Sequence, residues 1–308
     1  MNTTAIIAKW QNNAKAAFAL YYDDGCYSTL KTAVPCLRKY DIPGTFYLCT
    51  GWYKDKPAEL DNWLAQVDEK IVFIGNHTVG HCGVKSYENA KEELCNNDAV
   101  LREKLGYSPQ KMISYGRPGG CCWKITDEEE KEILDSIHSI RREHEKADGS
   151  EYAGALSVKT FEDARNALDA IEAAGNNDYI VFHGIGGDWF NFPAADHEKL
   201  VQELAIRKAK GSLWVAASID IHKYKVERDC ASLSIVPTEN SNEIALALSI
   251  STNPESFNTP LTIVIDAPPD WTRVTISQDE AVYIVPVIDG KATFNVAPIT
   301  SNISITKC

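Results

Sequence analysis

Short apolar runs alternate with segments of helical periodicity from residue 16 to about residue 220. The runs, each of strand length, lie at 17–22, 44–49, 71–75, 112–115, 137–142, 179–183 and 213–217. Helical patterns lie at 27–40, 61–69, 86–105, 127–135, 160–174 and 197–210. Strands and helices that alternate in this way predict a parallel sheet covered by helices. Seven such runs are more than an ordinary open sheet needs, so we predict a barrel, complete or incomplete.

Start and stop signals support the helical segments. Thr126-x-x-Glu129 has the pattern of a capping box, and Thr160 is suited to cap the next helix. Gly175 and Gly211 fall where helices commonly end in a glycine. One further short strand is predicted at 155–158.

The character of the sequence changes beyond residue 226. From Ser232 to Ile305 the chain consists of short β-type runs separated by Pro, Asn, Asp and Gly, without helical periodicity. This pattern is typical of a small all-β sandwich. We therefore predict a catalytic domain over 1–226 and a β-sandwich domain over 227–308. The second domain shows no cluster of His, Cys or carboxylate residues, so it is either structural or a binding module.

Charge and composition exclude several classes of partner. The net charge of −12 argues against nucleic acid or an anionic membrane surface as the main ligand, because both attract basic proteins. No apolar stretch approaches the roughly 20 residues that a membrane helix needs. Nine cysteines, an odd number without a C-x-x-C pair, predict mostly free, buried thiols, with one or two disulfides as the alternative.

Residues capable of metal and proton chemistry follow several of the predicted strands. Asp23 and Asp24 follow the first, His77 follows the third, and His183 closes the sixth. The carboxyl ends of the strands in an α/β barrel meet at one rim, where catalytic residues collect. We therefore expect these side chains to lie close together.

The histidines His77 and His81 are four residues apart, so on one helical turn they would share a face and bind one ion. Two imidazoles and a carboxylate suit Zn²⁺ or a similar divalent ion, and such a site leaves positions open for water and substrate. A bound ion of this kind lowers the pKa of water towards roughly 7 and polarises a carbonyl. A second carboxylate nearby is then suited to accept the proton of an attacking water.

Four ordered motifs resemble those of the polysaccharide deacetylase family, also called the NodB-homology family or carbohydrate esterase family four. They are Tyr22-Asp23-Asp24-Gly25, His77-Thr78-x-x-His81, Arg117-Pro118-Gly119-Gly120 and Phe182-His183-Gly184. The resemblance covers about 8–226. It implies a distorted (β/α)7 barrel that uses a divalent metal to remove acetyl groups from sugars.

The resemblance also implies a role for each matching residue. Asp23 is expected to be the general base, His183 the general acid, and Arg117 the residue that orients the base. Asp24, His77 and His81 are expected to hold the metal, and Thr78 to pack or hydrogen-bond within their loop. A backbone N–H near Gly119 is expected to help bind the oxyanion.

Two parts of the family pattern differ in this chain. In the third motif, Cys121-Cys122-Trp123 follows the two glycines, where the family usually has a bulky residue and a proline before the last glycine. The fourth motif, which positions the arginine and lines the acetyl pocket, has no clear match. Arg141 and Arg142, or Asp188-Trp189, are candidates for part of that work. Trp189 and Trp123 either line a sugar-binding cleft or serve in plain packing.

The resulting hypothesis is a zinc-dependent carbohydrate N-deacetylase acting on chitin- or peptidoglycan-type oligo- or polysaccharides. The same machinery acting as an O-acetyl esterase on acetylated xylan is the first alternative, and an inactive carbohydrate-binding protein is the second. The start of the chain shows no signal peptide, while the class of substrate slightly favours an extracellular or periplasmic location. The sequence contains no feature that indicates an oligomeric state.

Overall fold

The computed structural model describes residues 4–142 and 158–308. It contains two compact units. Ala16–Ile219 forms the first, called here the α/β unit, while Asp220–Cys308 and the chain up to Lys15 form the second, called the β unit. The strand predicted at 155–158 falls outside the described residues except for its last position.

Strand β1 (Ala5–Ile7) precedes the α/β unit, which contains seven strands. These are β2 (Ala16–Tyr22), β3 (Gly44–Leu48), β4 (Val72–Asn76), β5 (Ile113–Tyr115), β6 (Ser139–Arg141), β7 (Asn177–Phe182) and β8 (Leu213–Val215). They pair in parallel in the order β6-β5-β4-β3-β2-β7, and β8 pairs with the beginning of β2. The predicted parallel sheet is confirmed, and every predicted apolar run overlaps one of its strands. Closure into a (β/α)7 barrel stays a prediction.

Among the described residues, six of the seven α-helices overlap the predicted helical segments, and the last one was not predicted. The seven helices are α1 (Val34–Tyr40), α2 (Pro57–Leu64), α3 (Tyr87–Leu105), α4 (Asp127–Ser136), α5 (Phe161–Ala174), α6 (Ala194–Ala209) and α7 (Ser218–Asp229) in the described part of the chain. Capping boxes at Thr126 and Thr160 begin α4 and α5. Gly175, in the left-handed conformation, ends α5. The local signals therefore act as predicted.

Packing of the central strands fixes the edge of the sheet where the polar residues lie. Strands β2 and β7 are buried along their whole length, as expected for parallel strands covered on both faces. Phe18, Leu20 and Tyr22 of β2 pack in one cluster with Phe46 and Phe182 from the neighbouring strands. The residues that directly follow these strands therefore start from well-defined positions.

The β unit is antiparallel throughout. Its remaining strands are β9 (Ala231–Val236), β10 (Glu243–Ile250), β11 (Leu261–Asp266), β12 (Arg273–Gln278), β13 (Ala281–Ile288), β14 (Lys291–Val296) and β15 (Ser301–Lys307). The strand order is β1-β11-β14-β13-β12-β15-β10-β9. The all-β region is confirmed, whereas its arrangement as a sandwich stays a prediction.

The boundary between the units differs from the predicted one at 226. It falls at Ile219, and the start of the chain belongs with the β unit because β1 pairs with β11, Ile6 opposite Val264. Strand β1 has only three residues, and so short a segment has no sequence pattern that would assign it to a sheet formed by distant residues.

Two further expectations concern membrane helices and cysteines. Within 4–142 and 158–308, no helix has both the length and the apolar character needed to cross a bilayer. All nine cysteines are free thiols, as predicted, but only Cys26 and Cys49 are buried. Most of the other cysteines lie on loops, outside the hydrophobic core.

Candidate metal and catalytic site

The candidate site lies at the carboxyl ends of strands β2, β4 and β7. Asp23 and Asp24 directly follow β2, His77 follows β4, and His183 follows β7. Because β7 and β3 flank β2, and β4 pairs in parallel with β3, these ends meet at one edge of the sheet. The fold therefore brings these four side chains together.

A tight turn directs the two carboxylates to this edge. The Asp23 N–H donates to the Phe182 carbonyl at 2.8 Å, which continues the pairing of β2 with β7. Asp24 and Gly25 then adopt left-handed conformations, with φ of 71° and 61°. A Cβ at position 25 would lie 2.3 Å from the Tyr53 hydroxyl. Glycine is required there for both its conformation and its size.

The two histidines of the H-x-x-x-H motif lie on a loop and not on the helical turn that was assumed for them. Thr78 and His81 have positive φ angles, 66° and 56°. The loop is held by hydrogen bonds: the His81 N–H donates to Thr78 Oγ1 at 3.1 Å, and the Gly80 N–H donates to Glu93 Oε2 at 2.8 Å. These contacts, instead of helical periodicity, bring the imidazoles together, and Thr78 hydrogen-bonds within the loop as the resemblance implied.

Asp24, His77 and His81 form a set of three candidate ligands whose atoms lie within 4.8 Å of one another. Asp24 Oδ1 is 3.2 Å from His77 Nε2 and 3.4 Å from His81 Nε2. His77 Nδ1 lies 2.7 Å from the Gly116 carbonyl, which only accepts, so Nδ1 of the neutral ring carries the proton and Nε2 presents a lone pair.

Buried atoms without partners test whether these residues fit a metal ion. Asp24 Oδ1 and His77 Nε2 are both buried and have no hydrogen-bond partner among the described residues. A carboxylate oxygen and an imidazole lone pair that face each other repel unless a cation lies between them. Two imidazoles and a carboxylate suit a divalent ion, and the Gly116 contact is the outer-shell support that metal-binding histidines usually have. The residues fit the ion.

Asp23 forms an ion pair with Arg142. Arg142 donates from Nη1 and Nη2 to the two oxygens of Asp23, at 2.7 and 3.0 Å. Burial raises the pKa of Asp23, but the Arg142 guanidinium and the nearby His77 outweigh it and hold this pKa at about 2. Asp23 is therefore ionised and fixed in orientation.

The structure corrects the role predicted for Arg117, which does not contact Asp23. Its guanidinium lies 3.2 Å from Asp127 and 3.5 Å from Glu130, and 4.6 Å from the centre of the Trp123 ring. The physical reason is the acidic first turn of α4, which attracts Arg117 away from the site. Arg142, which the sequence analysis named only as a candidate for part of the work of the missing fourth motif, lies beside Asp23 instead.

His183 faces the other oxygen of Asp24, with Nε2 3.7 Å from Oδ2. Burial lowers the pKa of His183, although Asp23 and Asp24 act in the opposite direction. Its Nδ1 is buried and has no hydrogen-bond partner in the part of the chain that the structure describes. The ring of Phe190 lies 5.0 Å from that of His183.

The residues expected to bind substrate have different surroundings. Trp189 is 46% exposed and donates from Nε1 to Asp24 Oδ2 at 2.7 Å. Trp123 donates to the Pro118 carbonyl and packs beside Arg117 and Tyr115, so its contacts are those of plain packing. Gly119 is exposed, and its part in an oxyanion site stays a prediction.

Trp52 is a site residue that the sequence analysis missed. It is 41% exposed, and its ring centre lies 5.8 Å from that of His81 and 6.1 Å from that of Trp189. It follows the carboxyl end of β3, so the rule that pointed to Asp23 and His77 applied to it as well. We call Trp52, Trp189 and Phe190 the aromatic rim.

One family model and several solved structures match this chain. The model described as polysaccharide deacetylase matches residues 11–133, which include Asp23, Asp24, His77 and His81 but neither Arg142 nor His183. A protein from Mycobacterium smegmatis that carries the description polysaccharide deacetylase has a TM-score of 0.54 at 14% identity, with 76% of this chain and 98% of that chain covered. This likeness shows the fold alone. No curated protein matches at a significant level.

Two other similar structures have TM-scores below 0.5. A family 4 carbohydrate esterase from Streptomyces lividans in complex with acetate has a TM-score of 0.47 at 16% identity, covering 65% of this chain and 91% of that chain. A family 4 pseudoenzyme from Bacillus anthracis has a TM-score of 0.46 at 14% identity, covering 67% and 64%.

Proposed function

Because residues 11–133 belong to the polysaccharide deacetylase family, we propose that this protein is a metal-dependent hydrolase that removes acetyl groups from N-acetylated carbohydrate. One observation carries the proposal. A ligand set of Asp24, His77 and His81, of which the first two are buried, lies beside an ionised carboxylate, Asp23, and a further imidazole, His183. This arrangement has a place for an ion and for two proton-transfer groups.

Asp24, His77 and His81 would hold the ion, for which Zn²⁺ is the first candidate from the ligand types. When bound there, a divalent ion supplies acidified water and polarises the acetyl carbonyl. This assignment is supported by Asp24 Oδ1 and His77 Nε2, two buried atoms that have no hydrogen-bond partner among the described residues.

The proton transfers are assigned to Asp23 and His183. Asp23, kept ionised by Arg142, is suited to accept a proton from the attacking water. An amine leaves only when protonated, and His183 is suited to donate that proton. His183 lies near Asp24 Oδ2, whereas His77 and His81 lie near Asp24 Oδ1. Base and acid thus act from separate positions.

The aromatic rim supports a carbohydrate as the substrate. Trp52, Trp189 and Phe190 are exposed next to the ligand set, and aromatic faces provide apolar surface of the kind on which sugar rings pack. In the described residues of the β unit the large exposed apolar side chains are aliphatic, such as Val282, Ile284 and Ile288, and the aromatic residues Phe257 and Tyr283 are half-buried. We therefore propose a structural role for the β unit.

Acetate release from N-acetylchitooligosaccharides and from acetylated xylan tests the proposal, together with metal analysis of the purified protein. We expect a bound divalent metal and acetate from the first substrate. Acetate from xylan alone would indicate an O-acetyl esterase, and acetate from neither would indicate a binding protein.

Variants connect the activity to the site. His183→Gln should abolish most acetate release, whereas His138→Gln, which removes an exposed imidazole, should retain it. Asp23→Asn should lose activity and keep the metal. If Asp24→Ala retained both metal and full activity, the assignment of the site would be wrong.

A further inference from the structure

We infer that Trp189 is a positioning residue for Asp24: its indole N–H holds one carboxylate oxygen so that the other faces the two histidines. The inference rests on the proposed function, since it concerns the proposed metal ligand. Trp189 Nε1 donates to Asp24 Oδ2 at 2.7 Å, while Asp24 Oδ1 lies 3.2 and 3.4 Å from the Nε2 atoms of His77 and His81.

The two oxygens of Asp24 are thereby made different. A free carboxylate can rotate and present either oxygen, or both, to an ion. An indole N–H only donates, so it occupies Oδ2 without competing for the ion. A hydrogen bond to an ionised acceptor is also among the stronger kinds. Oδ1, which has no partner among the described residues, remains as the ligand atom.

The loop that carries Trp189 is built to hold this position. Gly184 and Trp189 are joined by a backbone hydrogen bond, from the Gly184 N–H to the Trp189 carbonyl at 3.0 Å. Asp188 and Phe190, on either side of Trp189, have positive φ angles of 57° and 46°. A Cβ at Gly184 would lie 1.8 Å from the Gly187 carbonyl oxygen, so the loop closes tightly.

This loop is also anchored to Ser28, in the segment that follows the turn of Asp24. The Ser28 N–H donates to Asp188 Oδ2 at 2.7 Å, and Ser28 Oγ donates to the Gly187 carbonyl at 3.1 Å. The Ile185 N–H donates to Ser28 Oγ at 3.1 Å. The indole and the carboxylate are therefore held on two segments that are fastened to each other, as a preorganised contact requires.

Trp123 provides a control outside the aromatic rim. Its Nε1 donates to the Pro118 carbonyl at 3.2 Å, and its ring packs beside Arg117 and Tyr115. Trp123→Phe and Trp189→Phe each remove one indole N–H and part of one aromatic surface. Only Trp189→Phe removes a hydrogen bond to Asp24.

The experiment measures zinc affinity of the demetallated full-length protein by competition with a chromogenic chelator. Trp189→Phe should bind zinc about 10–100-fold more weakly than the wild type, the effect typical of losing an outer-shell partner. Trp123→Phe should bind zinc as the wild type does. Equal affinity of Trp189→Phe and wild type would overturn the inference.

A second variant separates the hydrogen bond from the shape of the ring and from folding. Replacement of Trp189 by 3-benzothienylalanine, introduced at that position alone, keeps the bicyclic ring and removes the N–H. It should show the same loss of affinity, and wild-type affinity in this variant would refute the role of the N–H. A wild-type protein that binds no zinc would instead overturn the metal site itself, and the inference with it.

Discussion

Replacing Arg142 with methionine tests the ion pair on which the orientation of Asp23 depends. The side chains of Arg142 and Asp23 are 13% and 6% exposed, and they share two hydrogen bonds. The guanidinium also lies 5.0 Å from the centre of the Tyr47 ring and 5.5 Å from that of Tyr21. Methionine preserves most of the apolar stem but leaves a buried carboxylate without its counter-charge.

The expected loss of stability is large because the pair is buried. Removal of one partner of a buried ion pair costs about 3–5 kcal/mol. In a unit of the size of Ala16–Ile219, 1 kcal/mol changes the melting temperature by about 2–4 °C, so a decrease of about 10 °C is expected. Arg165→Met is the control: its pair with Glu162 at 2.6 Å is 46% and 59% exposed, and such pairs contribute at most about 1 kcal/mol.

Thermal unfolding of the metal-free proteins, followed by circular dichroism at neutral pH, measures both effects. The double variant Arg142→Met/Asp23→Asn should be more stable than Arg142→Met alone, because no uncompensated charge remains buried. The reasoning would be refuted if Arg142→Met melted within a degree or two of Arg165→Met, or if the second substitution restored no stability.

Three further predictions concern the metal, a buried acid and a buried amide. Zinc at about 100 times its dissociation constant should stabilise the protein by about 2.7 kcal/mol in thermal unfolding, and an equal stabilisation of Asp24→Ala would contradict the ligand assignment. Glu227 is fully buried, and burial raises its pKa to about 7. Its protonation therefore contributes stability that is complete below about pH 4.5 and is lost as pH rises through 7. Glu227→Gln should be more stable than the wild type at pH 8, by up to about 3 kcal/mol, and no more stable at pH 4.5; parallel stability curves for the two proteins would refute this. Asn97 is fully buried, accepts from the Thr50 N–H and hydroxyl, and donates to Asn76 and to the Leu48 carbonyl. Asn97→Leu should lower the free energy of unfolding by about 3 kcal/mol or more, and a loss below 1 kcal/mol in urea unfolding would argue against this network.

Arg117 and Arg142 illustrate what could not be predicted from the sequence. Both follow strands of the parallel sheet, and the family resemblance favoured Arg117. Which guanidinium reaches Asp23 depends on competing charges nearby, and the acidic first turn of α4 binds Arg117. That competition is visible only when residues from separate elements are placed together. The histidine loop shows the same effect, because contacts with Thr78 and Glu93 replace the helical turn that spacing alone suggested.

The sequence by itself determined the strand and helix segments, the caps and the strand ends that carry Asp23, Asp24, His77 and His183. These features depend on periodicity and on neighbours within a few residues, so their physics is contained in short stretches of chain. Only the tertiary structure decided which partners complete the site. Arg142 meets Asp23 across 119 residues and Trp189 meets Asp24 across 165. Hydrogen bonds of about 3 Å between such distant positions are set by how the sheet and its loops pack, and no local pattern encodes them.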